Sequence, residues 1–92
     1  MSDTSFFQRR GIVVKGVPVN IRKKAMRIIR RIEGGTPYWR LGGKRLQVDR
    51  NVVSLPVTYR WRIIARFEDG SIVPERILSH EAYNGYRKRK RL

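Results

Sequence analysis

A segment near the C-terminus, residues 61–86, brings together residue types that RNA chemistry uses. Histidine is the residue type that exchanges a proton most readily near neutral pH, and the only histidine, His80, stands at the end of a predicted strand. Tyr83 and Tyr86 follow within two turns of a short predicted helix, and the basic run 87–91 comes next. A group able to transfer protons therefore stands at a strand end, close in sequence to basic residues that bind phosphate. This arrangement suits a small RNA-cutting site.

The chemistry of such a site does not need a metal. RNA is cleaved when its own 2′-hydroxyl attacks the neighbouring phosphate, provided that a base takes the hydroxyl proton and an acid protonates the leaving 5′ oxygen. Cations must stabilise the charged phosphorane, and arginine suits this role because its planar fork holds two phosphate oxygens at once. Tyrosine is able to stack on a base or to act as the acid, which makes Tyr83 a further candidate.

The composition points to a polyanionic partner. The 92 residues include 22 Lys and Arg against 7 Asp and Glu, so the net charge is +15, and this excess is not confined to the run 87–91. Self-repulsion of that size destabilises a compact state unless a polyanion relieves it. Nucleic acid is therefore the leading partner, an acidic protein the second and an anionic membrane surface the third.

Several other classes are excluded. The chain has no cysteine, so disulfides and thiolate metal sites are ruled out, and one histidine with few carboxylates argues against a structural zinc site. No apolar run approaches the roughly 18 residues that span a bilayer, and residues 1–10 lack the apolar core of a signal peptide. We expect a cytoplasmic protein with no metal, no small-molecule cofactor and no membrane partner.

A helix and a sheet must position the candidate side chains. The helix is predicted over 20–33, with Asn20 as its N-cap and Gly34-Gly35 as its C-terminal stop. Apolar residues at helical spacing give it one face to bury: Ile21, Ala25, Ile28, Ile29 and Ile32. Before it, residues 1–16 are expected to form a short helix or strand that packs its aromatic side chains on the core.

Strands are predicted at 44–48, 52–58, 61–67 and 72–78. An Asp-Gly turn, the strongest short hairpin signal, joins the last two, and Pro74 indicates an edge or a bulge because proline cannot donate to a ladder. The expected fold class is α+β: a small antiparallel sheet packed by an N-terminal helical part, with a short C-terminal helix. We expect one domain, 1–86, and a basic tail, 87–92, that is disordered or folds only on binding.

Motifs along residues 17–86 resemble, in order and spacing, the RelE/ParE-type toxins of bacterial toxin–antitoxin pairs. The segment VPVNIRKKAMRIIRRIEGG resembles their LPxxIRKKA helix, KRLQVDRNVVSLPVTYRWRIIARFEDG resembles their strands, and RILSHEAY resembles their closing segment. The resemblance implies a RelE-like fold and an acidic antitoxin that silences the toxin. It also implies one of two activities, since RelE or HigB members cut messenger RNA in the ribosomal A site without metal and ParE members poison DNA gyrase.

The resemblance also implies site residues. Arg62 resembles the arginine of the family's WRI strand, and His80 resembles the histidine that many relatives have at the end of the last strand and would be the general acid or base. With Tyr83 they are the catalytic candidates. The candidates for binding RNA phosphates are Lys44, Arg45, Arg60, Arg87, Lys88, Arg89, Lys90 and Arg91. Pro56 stands where the family usually has arginine, so one basic site residue is missing.

Each candidate also has a structural interpretation. His80 beside a helix start fits a cap or a partner of Glu81, and Arg62 fits a cover for the back of the sheet or a partner of Glu75. Tyr83 and Tyr86 also fit packing of the last helix on the core. For Trp39 and Trp61 the sequence favours packing over base stacking.

The sequence, with its resemblance, predicts a toxin that acts as a metal-independent, ribosome-dependent mRNA endoribonuclease. Its expected partners are a cognate acidic antitoxin, the ribosome and mRNA. The first alternative is a ParE-like gyrase inhibitor, which keeps the fold without the catalytic set. The second is a basic nucleic-acid-binding module with no activity. The presence of His80 together with Arg62 favours cleavage.

Overall fold

The computed structural model describes residues 3–90, of which Arg89 and Lys90 are described by their backbone alone. Within that range the elements are helices α1 (Asp3–Arg10) and α2 (Val19–Glu33), a 3₁₀ helix (Tyr38–Leu41), strands β1 (Lys44–Arg45), β2 (Val52–Pro56), β3 (Trp61–Glu68) and β4 (Ser71–Ser79), and helix α3 (His80–Lys90). The strands form one antiparallel sheet in the order β1-β2-β3-β4. The predicted α+β class is confirmed.

The hairpin of β3 and β4 forms where the Asp-Gly signal predicts it. Asp69 and Gly70 both have positive φ, 51° and 82°, as a two-residue type I′ turn requires. Glycine adopts this conformation without a Cβ penalty, and aspartate tolerates it better than most residues. Further along, the register shifts so that Ala65 pairs with Pro74 and Ile64 with Arg76. The predicted bulge is confirmed, and β4 lies at the edge of the sheet.

The N-terminal helices lie side by side in the same direction. Arg22 near the start of α2 binds Asp3 at the start of α1, with 3.0 Å between Nε and Oδ2. Arg10 at the end of α1 binds Glu33 at the end of α2 through two bonds, of 2.6 and 2.9 Å. The second pair, above all its side-chain hydrogen bonds, lowers the pKa of Glu33 and raises that of Arg10.

The segment between these helices protects the sheet edge. Val13 donates its N–H to the Glu75 carbonyl at 2.9 Å and accepts the Ile77 N–H at 3.1 Å, which forms a parallel bridge to β4. The prediction of a short helix or strand in residues 1–16 is confirmed as a helix over Asp3–Arg10, and its aromatic side chains Phe6 and Phe7 are buried in the core. The edge groups that the bridge satisfies are no longer open to pairing with another chain.

The two faces of the sheet carry separate clusters of side chains. One face packs against α1 and α2, and this main core includes Ile29, Leu55, Ile63, Ala65 and Ile77. The other face packs against α3 through a smaller cluster, in which Tyr83 and Tyr86 contact Leu46, Val52 and Ile64. Because side chains alternate along a strand, neighbours in β2 and β3 belong to different clusters. The predicted apolar face of α2 is confirmed.

Two boundaries of the helices differ from the prediction. Helix α2 begins at Val19, so Pro18 and not Asn20 is the N-cap, and no side chain caps the helix. Proline lacks an N–H that would need a partner, and its carbonyl accepts the Arg22 N–H at 3.0 Å. Helix α3 continues to Lys90, so residues 87–90 are helical rather than disordered. At the other end of α2 the predicted glycine stop is confirmed, because Gly35 has a φ of 102°.

Two strands are shorter than predicted. The first, predicted over 44–48, is confined to Lys44–Arg45. Beyond it Leu46 makes one more bond, to the Val52 carbonyl at 2.9 Å, and the chain then turns back. The second, predicted over 52–58, ends at Pro56. The next residues form the loop 57–60, whose ends are closed by a bond from Val57 N–H to the Trp61 carbonyl at 2.9 Å.

Candidate nucleic-acid cleft

A basic cleft of about 400 Å³ lies on the face of the sheet that α3 covers. It is lined by Lys44, Arg45, Leu46, Gln47, Val48, Ser54, Arg62, Tyr83 and Arg87. Five of the predicted site residues, from three distant segments of the chain, therefore meet in one place. None of the lining residues is acidic, so the cleft offers an anion several cations and no repelling carboxylate.

The position of Arg62 follows from the alternation of β3. Its neighbour Ile63 is buried in the main core, so Arg62 lies on the opposite face, across from Leu78 in β4. There its Nε donates a hydrogen bond to the hydroxyl of Ser54 in β2. Ser54 is only 1% exposed, and a hydrogen bond from a charged donor to a buried acceptor holds the guanidinium in a defined direction.

Tyr83 links α3 to this arginine. Its ring lies 5.1 Å from the guanidinium carbon of Arg62 and 5.7 Å from that of Arg87, one helical turn further along α3. Both distances are within the range of a cation–π contact. Tyr83 also packs against the small cluster of Leu46 and Ile64, so the packing interpretation holds while the same ring lines the cleft.

Lys44 and Arg45 of β1 both line the cleft, but their charged groups lie on opposite faces of the sheet. Lys44 pairs with Ser54, and Arg45 pairs with Val53, which belongs to the main core. Because successive side chains point to opposite faces, Lys44 lies on the cleft side of the sheet. The guanidinium carbon of Arg45 lies 4.0 Å from the centre of the Phe67 ring, and Phe67 packs against the main core.

His80 lies outside the lining of the cleft, at the first position of α3 and one turn before Tyr83. Its side chain is exposed, with the Asn84 Nδ2 3.4 Å from its Nε2 and the Tyr59 ring nearly parallel to its own. The interpretation of His80 as the cap is wrong, because the Ser79 hydroxyl accepts the Ala82 N–H at 3.3 Å. We call this position, one helical turn before Tyr83, the rim of the cleft.

Arg60 and Lys88, two further candidates for binding phosphate, are not among the residues that line the cleft. Arg60 is exposed in the loop 57–60, and its carbonyl accepts the backbone N–H of His80 at 2.7 Å. Lys88 is exposed on α3. Arg89 and Lys90 continue the same helix by their backbone, and Arg91 lies outside the described residues.

Two structural interpretations from the sequence need correction. Glu75 does not pair with Arg62, because its carboxylate binds Arg66, with Oε1 2.7 Å from Nε. Trp39 is 61% exposed and therefore is not a packing residue, whereas Trp61 packs against the main core as expected.

Sequence reasoning missed Ser54, which orients Arg62. A usable signal was present, because Ser54 is the single polar residue in the apolar run 52–57 and lies between Val53 and Leu55. Strand alternation places it on the face opposite these two residues. Among residues 3–90 the structure shows no group of three or more metal-ligating side chains, and no helix there is both long and apolar enough to cross a bilayer.

The comparison with protein families gave a match over most of the chain. A family model of the ParE-like toxin domain matches residues 19–85, which span α2, the sheet and about half of α3. The chain therefore belongs to the ParE-like toxin domain family, within the superfamily that its motifs resemble. It is a toxin of a toxin–antitoxin system, and this class implies an antitoxin partner. The comparisons with curated proteins and with solved structures gave no match.

Proposed function

We propose that this toxin is a metal-independent endoribonuclease that cuts messenger RNA on the ribosome, and that the basic cleft holds the scissile phosphate. The observation that carries the proposal is the oriented guanidinium of Arg62, which is bound to the buried hydroxyl of Ser54 beside the ring of Tyr83. A cation that is already in place stabilises developing negative charge without having to reorganise during the reaction.

The proposed reaction uses the RNA as its own nucleophile. The 2′-hydroxyl oxygen bonds to phosphorus and the bond from phosphorus to the 5′ oxygen breaks, which leaves a 2′,3′-cyclic phosphate and a 5′-hydroxyl. The 2′-hydroxyl proton passes to a base, and an acid gives a proton to the leaving oxygen. We assign the acid to Tyr83, whose ring lies beside two guanidinium groups, and the base to His80 at the rim.

The cations of the cleft have separate tasks in this scheme. Arg62 contacts the scissile phosphate. Its hydrogen bond to Ser54 uses only Nε, so the other two nitrogens of the guanidinium can donate to phosphate oxygens. Lys44 and Arg87 neutralise the flanking phosphates, since they line the same cleft from the sheet and from α3. The positive charges of Lys88 and of the residues after it attract the RNA backbone whatever the RNA sequence.

Primer extension on mRNA from cells that express the chain without an antitoxin tests the proposal. Wild type should arrest growth and cut translated mRNA, and an acidic antitoxin should reverse both effects. Arg62→Ala should lower the cleavage rate by about 10²–10³-fold, as loss of one charge-stabilising donor does. Tyr83→Phe and His80→Ala should each lower it by about 10²–10⁴-fold, as loss of an acid or base does.

Arg66→Ala is the matched control, because Arg66 lies on the same strand and on the same face as Arg62 but binds Glu75 outside the cleft. It should leave cleavage unchanged. Circular dichroism confirms that each variant folds. Cleavage at the wild-type rate by folded Arg62→Ala would contradict the assignment of the cleft.

Gyrase inhibition is the second candidate function, and two observations favour it. The matching family model describes ParE-like toxins, and Pro56 stands where the family usually has arginine, so the proposed ribonuclease site lacks one basic residue. If the chain inhibits gyrase, a supercoiling assay will show the inhibition and translated mRNA will remain intact.

A further inference from the structure

An exposed aromatic residue lies beside His80 and has no role in the mechanism above. Tyr59, in the loop 57–60, is 90% exposed, which is more than Trp39 at 61%. Its ring lies nearly parallel to that of His80, with 14° between the planes and 6.3 Å between the centres. Two aromatic planes with a common orientation therefore face solvent at the rim.

The loop that carries Tyr59 is held by backbone hydrogen bonds on both sides. Val57 donates its N–H to the Trp61 carbonyl at 2.9 Å, which closes the loop, and His80 donates its N–H to the Arg60 carbonyl at 2.7 Å, which ties the loop to α3. Tyr59 is therefore presented by a fixed segment. An ordered ring loses little further freedom when a ligand stacks on it.

The backbone that carries these two rings lies close to residues that line the cleft. Arg60 precedes Arg62 by two residues, so their backbones are at most about 7 Å apart. His80 precedes Tyr83 by three residues of α3, a rise of about 4.5 Å. A nucleotide next to a phosphate at Arg62 is therefore within reach of the loop 57–60, in which Arg60 is exposed.

We propose that Tyr59 and His80 form a stacking subsite for the base that adjoins the phosphate in the cleft, and that its ligand is single-stranded RNA. The choice of RNA as ligand rests on the proposed function. Cations bind the backbone of any nucleic acid, but an aromatic plane adds affinity for an unpaired base. The subsite is independent of which group moves the proton, because stacking uses the face of the His80 ring and proton transfer uses its nitrogens.

The test compares two labelled probes by fluorescence anisotropy with the purified protein: a short single-stranded RNA and an abasic strand with the same number of phosphates. Wild type should bind the probe with bases more tightly by about 5- to 150-fold per stacked base. Tyr59→Ala should lose this preference, and its affinity for the abasic strand should stay the same. Tyr59→Trp should keep the preference.

Two further variants make the result specific. His80→Phe retains a ring and should keep the preference for bases, although it abolishes any proton transfer by His80. Trp39→Ala removes an exposed aromatic side chain that lies away from the cleft and should change nothing. A wild type that prefers bases in this way but never cuts mRNA supports the subsite and refutes only the ribonuclease. Equal affinity of wild type for the two probes, or an unchanged preference in folded Tyr59→Ala, would overturn the subsite.

Discussion

The hydrogen bond between Arg62 and Ser54 predicts a particular pattern of stability changes in a double-mutant cycle. Arg62→Ala leaves the Ser54 hydroxyl without its donor at a position that is 1% exposed. A buried polar group without a partner costs about 1–3 kcal/mol. Ser54→Ala leaves a guanidinium that is only half-buried and turns toward water. We expect this single substitution to cost about 0.5–1.5 kcal/mol.

The double variant Arg62→Ala/Ser54→Ala removes both partners and leaves no unpaired group. It should therefore be more stable than the sum of the single effects predicts, by a coupling of about 1 kcal/mol or more. For a domain of this size, a difference of 1 kcal/mol corresponds to about 4–8 °C in melting temperature. The double variant should thus melt several degrees above the temperature expected from adding the single losses.

Urea unfolding of the four proteins, followed by circular dichroism, measures this coupling, and thermal unfolding gives an independent value. The pair Arg66→Ala and Glu75→Ala is the control cycle, because that ion pair is more exposed and should couple by only about 0.2–1 kcal/mol. If the effects of Arg62→Ala and Ser54→Ala add without coupling, the hydrogen bond does not fix the guanidinium, and the argument for a preorganised cleft fails.

Three other predictions test separate parts of the structure. Glu33→Gln should remove about 0.2–1 kcal/mol of stability and flatten the loss of stability in acid. The pKa of Glu33 is lowered by its hydrogen bonds from Arg10, so this stabilisation is present above the unfolded pKa and lost as pH falls through the folded one. Gly43→Ala should destabilise by about 1–3 kcal/mol in urea, because a Cβ would lie 2.8 Å from the Tyr38 carbonyl. Arg87→Ala should lower the salt slope of RNA binding by about 0.7.

Each of these has an outcome that would contradict it. If wild type and Glu33→Gln have the same melting temperature at each pH from neutral to acidic, the ion pair of Arg10 and Glu33 does not contribute to stability. A Gly43→Ala variant as stable as wild type would show that the backbone at Gly43 does not approach the Tyr38 carbonyl so closely. An unchanged salt slope in Arg87→Ala would mean that Arg87 does not contact phosphate.

Local patterns were enough to predict most of the fold. The apolar spacing in α2, the glycine stop after it and the Asp-Gly turn each depend on interactions within a few residues, and all three are confirmed. The proline at position 74 also predicted the bulge correctly, because a missing N–H restricts a strand in any context. The boundaries of β1 and β2 were wrong, because partner strands and turns fix where a strand ends.

The candidate site was predictable only in part, because it depends on which segments meet. Residue type and resemblance pointed to Arg62 and Tyr83, which do share the cleft. The charged groups of Lys44 and Arg45 lie on opposite faces because of strand register, which cannot be read from the sequence. The contact of Tyr59 with His80 joins a loop to a distant helix, so no local pattern predicts it.

The most direct test of the proposed function assays one preparation of the purified toxin against both targets of its superfamily, the translating ribosome and DNA gyrase. One reaction contains ribosomes that translate a defined mRNA, and primer extension locates cuts. The other contains DNA gyrase and relaxed plasmid. The proposal predicts ribosome-dependent cuts with wild type and Arg66→Ala, none with folded Arg62→Ala/Ser54→Ala, and unimpaired supercoiling. Intact mRNA together with inhibited supercoiling would contradict it.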